Sequence, residues 1–379
     1  MNDSRLPPPD PAALERSRTL AALIRDEIAA EGGWIGFDRY MERALYAPGL
    51  GYYSAGAAKL GRGGDFVTAP ELSDALGRAI AAALGPLLAA MAEPVILELG
   101  AGTGRLAAQI LDALERRGSG PVAYRILETS AELRSRQQRL LAGRPGVAWL
   151  DRLPEQPFDG LIVANEVADA LPVACFVKRR GRIVPVGVSA PNGALGWAEG
   201  PEQPALTEAV GALEVRLGAP LPEHYRSEIR PVLPPWITAL GGTLRRGAML
   251  LVDYGYTRRE YYDPARSRGT LICHYRHRAL DDPFVYPGLQ DITAWVDFSA
   301  CADAARAAGL EVAGYTTQAQ LLIGALGADL LPADAGPAEL AALKTLVLPG
   351  EMGERFKALL LGKGLDGAGL PGRDFRSRL

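Results

Sequence analysis

A short apolar run, Val95-Ile-Leu-Glu-Leu, breaks into the glycine-spaced turn Gly100-Ala-Gly102-Thr-Gly104 and resumes as an amphipathic stretch over 105–117. A strand that passes through a tight turn directly into a helix is the first half of a right-handed crossover. Such crossovers build parallel sheets with helices on both faces. The alternation continues: strands are predicted at 124–128, 147–150, 160–164 and 248–253, with a helix at 131–141. A helix at 298–308, a strand at 310–316, two further helices and a last strand at 356–361 complete a doubly wound α/β core.

The flanking segments read differently. Residues 11–31 form a helix on the spacing of Leu14, Leu20, Leu23, Ile24 and Ile28, and residues 73–91 form another. Between them, 32–73 is dense in glycine and aromatics. Its part from Gly61 to Glu71 reads as a lid that folds over a ligand, with Phe66 and Pro70 as apolar cover, and Thr68 and Pro70 on the cofactor side. Short strands occupy 176–199, and the proline clusters of 205–246 suggest an inserted subdomain. The stretch 254–297 reads as a long functional loop, and the tail after Gly362 as poorly ordered. The expected organisation is an N-terminal helical and lid segment (1–92), a first part of the core (93–199), an insertion (200–246) and a second part of the core (247–379).

Charge narrows the partners. Lys and Arg number 41 against 44 for Asp and Glu, a net charge of -3, which gives no general attraction to nucleic acid. The most apolar run, 79–92, is rich in alanine, broken at Gly85-Pro86, and short of the ~18 residues a membrane-spanning helix needs, so no membrane insertion is expected. Cys175, Cys273 and Cys301 are far apart, and His224, His274 and His277 are the only histidines. A disulfide framework, a zinc site or any other metal centre is therefore not expected. The first ten residues resemble neither a secretory signal nor a transit peptide, and a cytoplasmic location is the expectation.

A glycine-rich turn at the carboxyl edge of a parallel sheet is where ligands bind. Dinucleotide enzymes, methyltransferases and plain tight turns all use one. The dinucleotide spacing needs glycine at position 105, where this chain has Arg105. Glu98, at the end of the strand, would repel a pyrophosphate. It suits S-adenosyl-L-methionine, whose α-ammonium and sulfonium are cationic and which carries no phosphate. Gly100, Gly102 and Gly104 are then the cofactor turn. Glu128, ending the second strand, is placed to accept both ribose hydroxyls, and Asp151, past the third, is a candidate for the adenine end.

Asn165, Glu166 and Asp169 follow the fourth strand, at the edge that faces the reacting group. Two carboxylates three residues apart could converge on one cationic ligand. The alternative pairs them with Arg179 or Arg180, or makes Asp169 a helix cap. His274, Tyr275, Asp291 and Asp297 are candidates for shaping the acceptor side, with satisfied structural roles as the alternative.

Gly51-Tyr-Tyr-Ser, Gly64-Asp-Phe-Val-Thr-Ala-Pro-Glu-Leu-Ser, Leu97-Glu-Leu-Gly-Ala-Gly-Thr-Gly, Ala164-Asn-Glu-Val-Ala-Asp-Ala-Leu-Pro-Val, Val252-Asp-Tyr-Gly and Gln290-Asp-Ile-Thr-Ala-Trp-Val-Asp-Phe, in this order, resemble the MidA family. Arg268-Gly-Thr-Leu-Ile-Cys-His-Tyr-Arg-His and Met352-Gly-Glu-Arg-Phe-Lys extend the match to about residues 30–361. The resemblance implies a seven-stranded, Rossmann-like class I methyltransferase core with S-adenosyl-L-methionine as methyl donor. In the mitochondrial branch it implies a protein arginine as acceptor and a role in assembly of respiratory complex I. That branch often has His at the position of Asn165. Guanidinium chemistry fits the residues: the group stays protonated at neutral pH and matches carboxylates in a two-bond fork. Glu166, Asp169 and Asn165 are then the catalytic candidates, and a protein substrate is the expected partner, with a homodimer among the allowed states. Three rival readings stay open: a methyltransferase of a small molecule, an assembly factor that keeps the fold as a binding module, and an NAD-dependent oxidoreductase.

Overall fold

The computed structural model describes residues 6–55, 68–332, 335–365, 367 and 369–379. Helix α1 (Pro11–Ala30) starts where the Asp10 carboxylate accepts the Ala13 amide at 2.8 Å and proline fills the first helical position. It buries Leu20, Ile24 and Ile28, whereas Leu23, expected in the same stripe, is 52% exposed. Strand β1 (Ile35–Gly36), α2 (Phe37–Tyr46), α3 (Ala69–Leu72) and α4 (Ala75–Ala89) follow. Helix α4 lies within the helix expected over 73–91 and runs through Pro86, which sits in its last turn and leaves only the carbonyl four residues back without its helical amide partner. Most of the expected lid, 61–67, lies outside the described residues; its end is the short helix α3.

The alternation predicted from the sequence then appears to within two residues at each boundary: β2 (Val95–Leu99), α5 (Arg105–Arg116), β3 (Ala123–Leu127), α6 (Ala131–Leu140), β4 (Val147–Leu150) and β5 (Phe158–Asn165). Next come β6 (Ala174–Arg179), β7 (Arg182–Ser189), β8 (Gly196–Glu199), α7 (Pro204–Leu217), β9 (Arg226–Ile229), α8 (Leu233–Thr243) and β10 (Leu244–Tyr256). After α9 (Arg258–Tyr261) come β11 (Ile272–Tyr275), β12 (Arg278–Leu280), β13 (Asp291–Thr293) and β14 (Val296–Asp297). The chain ends with α10 (Phe298–Ala307), β15 (Glu311–Thr317), α11 (Gln318–Leu326), α12 (Pro337–Val347), α13 (Met352–Arg355) and β16 (Phe356–Lys363).

Among the described residues the central sheet has eight strands, ordered β15-β16-β10-β5-β2-β3-β4, with β14 beside β10. The run from β4 to β10 is parallel, and β16 inserts antiparallel between β10 and β15. One face packs on α4, α5 and α11 through Leu76, Ile80, Ile110 and Leu321; the other packs on α8 and α10 through Ile237, Leu240, Phe298 and Cys301. Buried on both faces at their centres, β5 and β10 carry unbroken apolar runs at 161–164 and 248–252, which is what a parallel interior strand requires. The order reverses between β2 and β5, opening a crevice at their carboxyl ends.

Three sequence-based expectations change. Residues 174–199, assigned to the first part of the core, leave the central sheet. With β9 and β1 they form a second, five-stranded antiparallel sheet ordered β1-β7-β6-β9, with β8 on β7. The tight β6–β7 connection, with Arg180 at φ 52° and Gly181 at φ 71°, makes a hairpin, and a hairpin cannot be a crossover. Helices α1 and α2 pack on this sheet through Leu20, Ile24, Phe37 and Met41, while α8, expected in the insertion, belongs to the core. The stretch 254–297 is built rather than irregular: α9 carries a Thr257–Glu260 capping box, and β12-β11-β13 form a third sheet. The tail also returns, with the Phe375 amide on the Tyr315 carbonyl at 2.7 Å and the Thr316 hydroxyl on the Arg373 carbonyl at 2.7 Å.

Candidate active site at the carboxyl edge of the sheet

Between β2 and α5 the backbone turns through the left-handed region three times, at Gly100 (φ 58°), Gly102 (φ 56°) and Gly104 (φ 88°). Side chains resist that conformation, which is why the turn is spelled in glycine. It borders a cavity of about 370 Å³, within the size range of small-molecule sites. Glu98, Gly100, Gly102, Glu128, Asn165, Glu166, Thr68 and Pro70 all line it. Three other candidates do not. Gly104 faces away: a side chain there would meet Gln137 of α6, with its Cβ 3.2 Å from Cγ and 3.3 Å from Cα. Asp151 sits in solvent with an 84% exposed carboxylate and pairs with Arg134, because β4 is the edge strand and ends outside the crevice. Asp169 is buried behind the wall.

The donor-side acids are held individually. Glu98 is buried and receives the Tyr124 hydroxyl at 2.8 Å. Burial pushes its pKa up to about 7, with nearby Glu128 adding to the shift and the Tyr124 bond opposing it. Glu128 Oε1 accepts the Ser130 amide at 2.9 Å and Oε2 accepts the Gln137 side-chain amide at 3.0 Å. Glu71, the last residue of the Thr-Ala-Pro-Glu stretch, accepts the Thr103 hydroxyl at 2.5 Å and pairs with Arg105 at 3.0 Å. The arginine that breaks the dinucleotide spacing thus ties α3 to the glycine turn.

The side expected to face the acceptor is built on the turn after β5. Glu166 adopts φ 53°, and its amide donates to the Val252 carbonyl at 2.9 Å. Its carboxylate accepts the Asn165 side-chain amide at 3.2 Å. Burial pushes the Glu166 pKa up to about 8; Asp169 and Asp291 add to the shift, and the Asn165 side chain and Ala69 amide oppose it. Asp169 accepts the Tyr254 hydroxyl at 2.5 Å with one oxygen, and its other oxygen is buried without a hydrogen-bond partner among the described residues. Burial raises its pKa, while the Tyr254 bond and the nearby Arg230 pull the other way. Neither Arg179 nor Arg180 neutralises these acids: Arg179 pairs with Glu199, and Arg180 is exposed. The nearby cation is Arg230, whose guanidinium donates to the carbonyls of Asp169, Leu171, Ala294 and Trp295 at 2.8–3.3 Å.

Sequence reasoning missed several of the side chains that shape this space. Tyr46 and Tyr53 line the cavity; their hydroxyls donate to the Ala170 carbonyl at 3.0 Å and to Asp291 at 2.9 Å. The Gly51-Tyr-Tyr-Ser motif that holds Tyr53 showed that aromatics dock here, but not on what, and Tyr46, at the end of α2, lies outside it. Trp236 and Leu240 reach the same cavity from α8. Of the candidates around 274–297, Asp291 touches the site through Tyr53, and His274 lies beside Asp291 in the β11–β13 register. The hydroxyl of Tyr275, by contrast, donates to the Pro7 carbonyl at 3.1 Å. Asp297 instead caps α10, accepting the Ala300 amide at 3.0 Å, with its pKa pushed up to about 6 by burial against Arg258. Among the described residues no cluster of His, Cys, Asp or Glu could hold a metal ion, and no helix is long and apolar enough to cross a membrane.

The cavity suits an adenosyl amino acid. Glu128 keeps lone pairs for a guest, Leu99, Leu127 and Leu133 supply apolar wall, and the buried Asn165 side-chain oxygen has no partner among the described residues. A family model described as S-adenosyl-L-methionine-dependent methyltransferase matches residues 75–316. The chain belongs to that family. A COG1565 superfamily protein of Burkholderia thailandensis, crystallised with S-adenosyl-homocysteine, is 43% identical, covers 99% of this chain and 100% of its own, and superposes with a TM-score of 0.91. The chain is also 28% identical to the mitochondrial protein arginine methyltransferase NDUFAF7 homolog of Drosophila melanogaster, in an alignment that covers 92% of this chain and 85% of that one. The Caenorhabditis elegans homolog of the same name is 26% identical over 348 residues, 77% of this chain and 73% of that one. The methyltransferase family's donor, S-adenosyl-L-methionine, is the cofactor, and the protein is a methyltransferase of the class I fold.

Proposed function

We propose that this methyltransferase acts on the guanidinium of an arginine side chain in a protein. The observation that carries the reading is an imbalance of charge. Glu166 stands on the cavity wall with Asp169 behind it, and among the described residues no Lys or Arg forms an ion pair with either carboxylate within 4.0 Å. Arg230, close by, has its donors committed to backbone carbonyls. Buried carboxylates without a cationic partner are costly to ionise, and a cationic guest would relieve that cost. The names of the Drosophila and Caenorhabditis relatives support the same acceptor.

When bound, S-adenosyl-L-methionine supplies an electrophilic methyl group. In the proposed reaction Glu166 and the free oxygen of Asn165 accept N–H groups of the guanidinium and fix its plane. Asp169 does not touch the guest. It holds Tyr254 and contributes negative charge from behind, so the second prong of the fork is Asn165 rather than Asp169. As the nitrogen gains its methyl group it loses a proton, and the Glu166 carboxylate is placed to receive it. The tyrosine pair at 46 and 53 excludes water from that end. Mass spectrometry of arginine methylation in cells with and without the gene tests the reading. A protein arginine methylated only in the presence of the gene is the expected result, and an unchanged arginine methylome would refute it.

A further inference from the structure

Gln137 has no exposed surface and shows no sign in the sequence of being anything but a helix residue, yet every polar atom of its side chain is used. Its amide nitrogen donates to the Gly102 carbonyl at 2.9 Å and to Glu128 Oε2 at 3.0 Å, and its oxygen accepts the Trp149 indole N–H at 2.9 Å. An indole can only donate, so the oxygen must face Trp149, and both amide hydrogens must face the cofactor turn and the acid. Turned over, the amide would set oxygen against two acceptors and N–H against a donor. Gly104 makes room for this side chain, since a Cβ there would press on Gln137 at 3.2 Å.

We propose that Gln137, locked in one orientation by Trp149, is a positioning residue that aims the Glu128 carboxylate at the ribose of the cofactor. A carboxylate has about four lone-pair sites. The Ser130 amide takes one on Oε1 and Gln137 takes one on Oε2, with the Thr129 amide also contributing, and the lone pairs left over are what the carboxylate offers to two neighbouring hydroxyls. The same amide joins Glu128 to the Gly102 carbonyl, so the ribose end and the turn are set by a single group. The inference rests on Glu128 holding the ribose.

Calorimetry with S-adenosyl-homocysteine and with its 2′-deoxyribose analogue tests both statements. The wild-type protein should prefer the ribose form by roughly tenfold or more, the size of one charge-assisted hydrogen bond. Gln137→Leu should weaken the ribose form roughly tenfold to a hundredfold and the deoxy form by no more than about threefold, so that the preference collapses. Trp149→Phe leaves every atom of Gln137 and Glu128 in place and removes the donor that fixes the amide, and it should lower the preference by roughly threefold. A merely structural role would weaken both ligands alike. A wild-type preference in folded Gln137→Leu and Trp149→Phe, judged by ligand-free melting, overturns the proposal. Glu128→Gln separates the premise: an undiminished preference there means Glu128 does not hold the ribose at all.

Discussion

Asp253, inside β10, accepts the backbone amide of Asp169 at 3.2 Å with the same oxygen that takes the Ala168 amide at 3.0 Å. Its other oxygen accepts the Tyr254 amide at 2.9 Å. One carboxylate thereby fixes the turn that follows β5, and with it the left-handed backbone of Glu166, a conformation that costs a non-glycine residue about 1 kcal/mol or more. Asp253→Ala leaves buried amides without acceptors. It should destabilise the fold by roughly 2–4 kcal/mol and cut methyl transfer at least tenfold. S-adenosyl-homocysteine affinity should fall less than about threefold, since the donor-side turn is untouched. Calorimetry and turnover on the same preparation check this; a variant that transfers methyl normally would show that the turn keeps its shape unaided.

Gly104 offers a cleaner comparison. Gly104→Ala must place a side chain at φ 88° and also push on Gln137. Gly118→Ala places one at φ 68° with nothing within 4 Å, so it reports the backbone strain alone. Both should lower the melting temperature, but only Gly104→Ala should weaken S-adenosyl-homocysteine binding, by about tenfold. Equal and small effects of the two on binding would mean that α6 shifts freely to accommodate the methyl group.

The glycine turn and the cavity it borders were legible in the sequence because they depend on residues that have no substitute. Only glycine serves the repeated left-handed turn, and a carboxylate at the end of a strand has few structural uses. The acceptor side was less legible, because its acids are sorted by depth. Glu166 and Asp169 lie three residues apart, yet one lines the cavity and the other stands behind it. That difference comes from β10 and Arg230, more than sixty residues downstream. The hairpin 174–189 was misplaced for a related reason, since its apolar runs look like core strands until the partner of each is known. Gln137 gave no signal at all: a glutamine in a helix is ordinary until Trp149 and Glu128 are seen on either side.

The raised pKa of Glu166 has a stability consequence whose sign is definite. Its folded-state value, about 8, lies above the ordinary carboxylate value. The contribution is therefore favourable at low pH, where the acid is neutral in both states, and is lost as pH rises from the ordinary carboxylate range through about 8. Ligand-free protein should be less stable near pH 9 than near pH 6, and Glu166→Gln, neutral throughout, should remove a few kcal/mol at most of that loss. Melting curves of the two proteins across this range decide it. Parallel curves would mean that Glu166 is already ionised at neutral pH in the empty site.

The acceptor chemistry gives the sharpest test, because the two acids should now behave differently. If Glu166 grips the guanidinium and takes its proton, Glu166→Gln keeps the shape but loses both the charge and the base. Methyl transfer should fall at least a hundredfold with S-adenosyl-homocysteine affinity nearly unchanged, since the lost interaction belongs to the acceptor. Asp169→Asn removes charge one layer back and weakens the bond from Tyr254, so its loss should be smaller, roughly tenfold, with a drop in melting temperature. The residual rate should still favour arginine over lysine, whose ammonium is a point charge that a planar two-pronged site cannot orient. Acceptor binding should also tighten as pH rises toward about 8 in the wild-type protein, because a cationic guest displaces the proton that the empty site holds on Glu166. That pH dependence should vanish in Glu166→Gln and persist in Asp169→Asn. The measurement is methyl incorporation into an arginine-bearing protein and its lysine-substituted counterpart across this pH range. Full transfer by Glu166→Gln would remove Glu166 from the chemistry, and equal losses in the two variants would restore Asp169 to the front of the site.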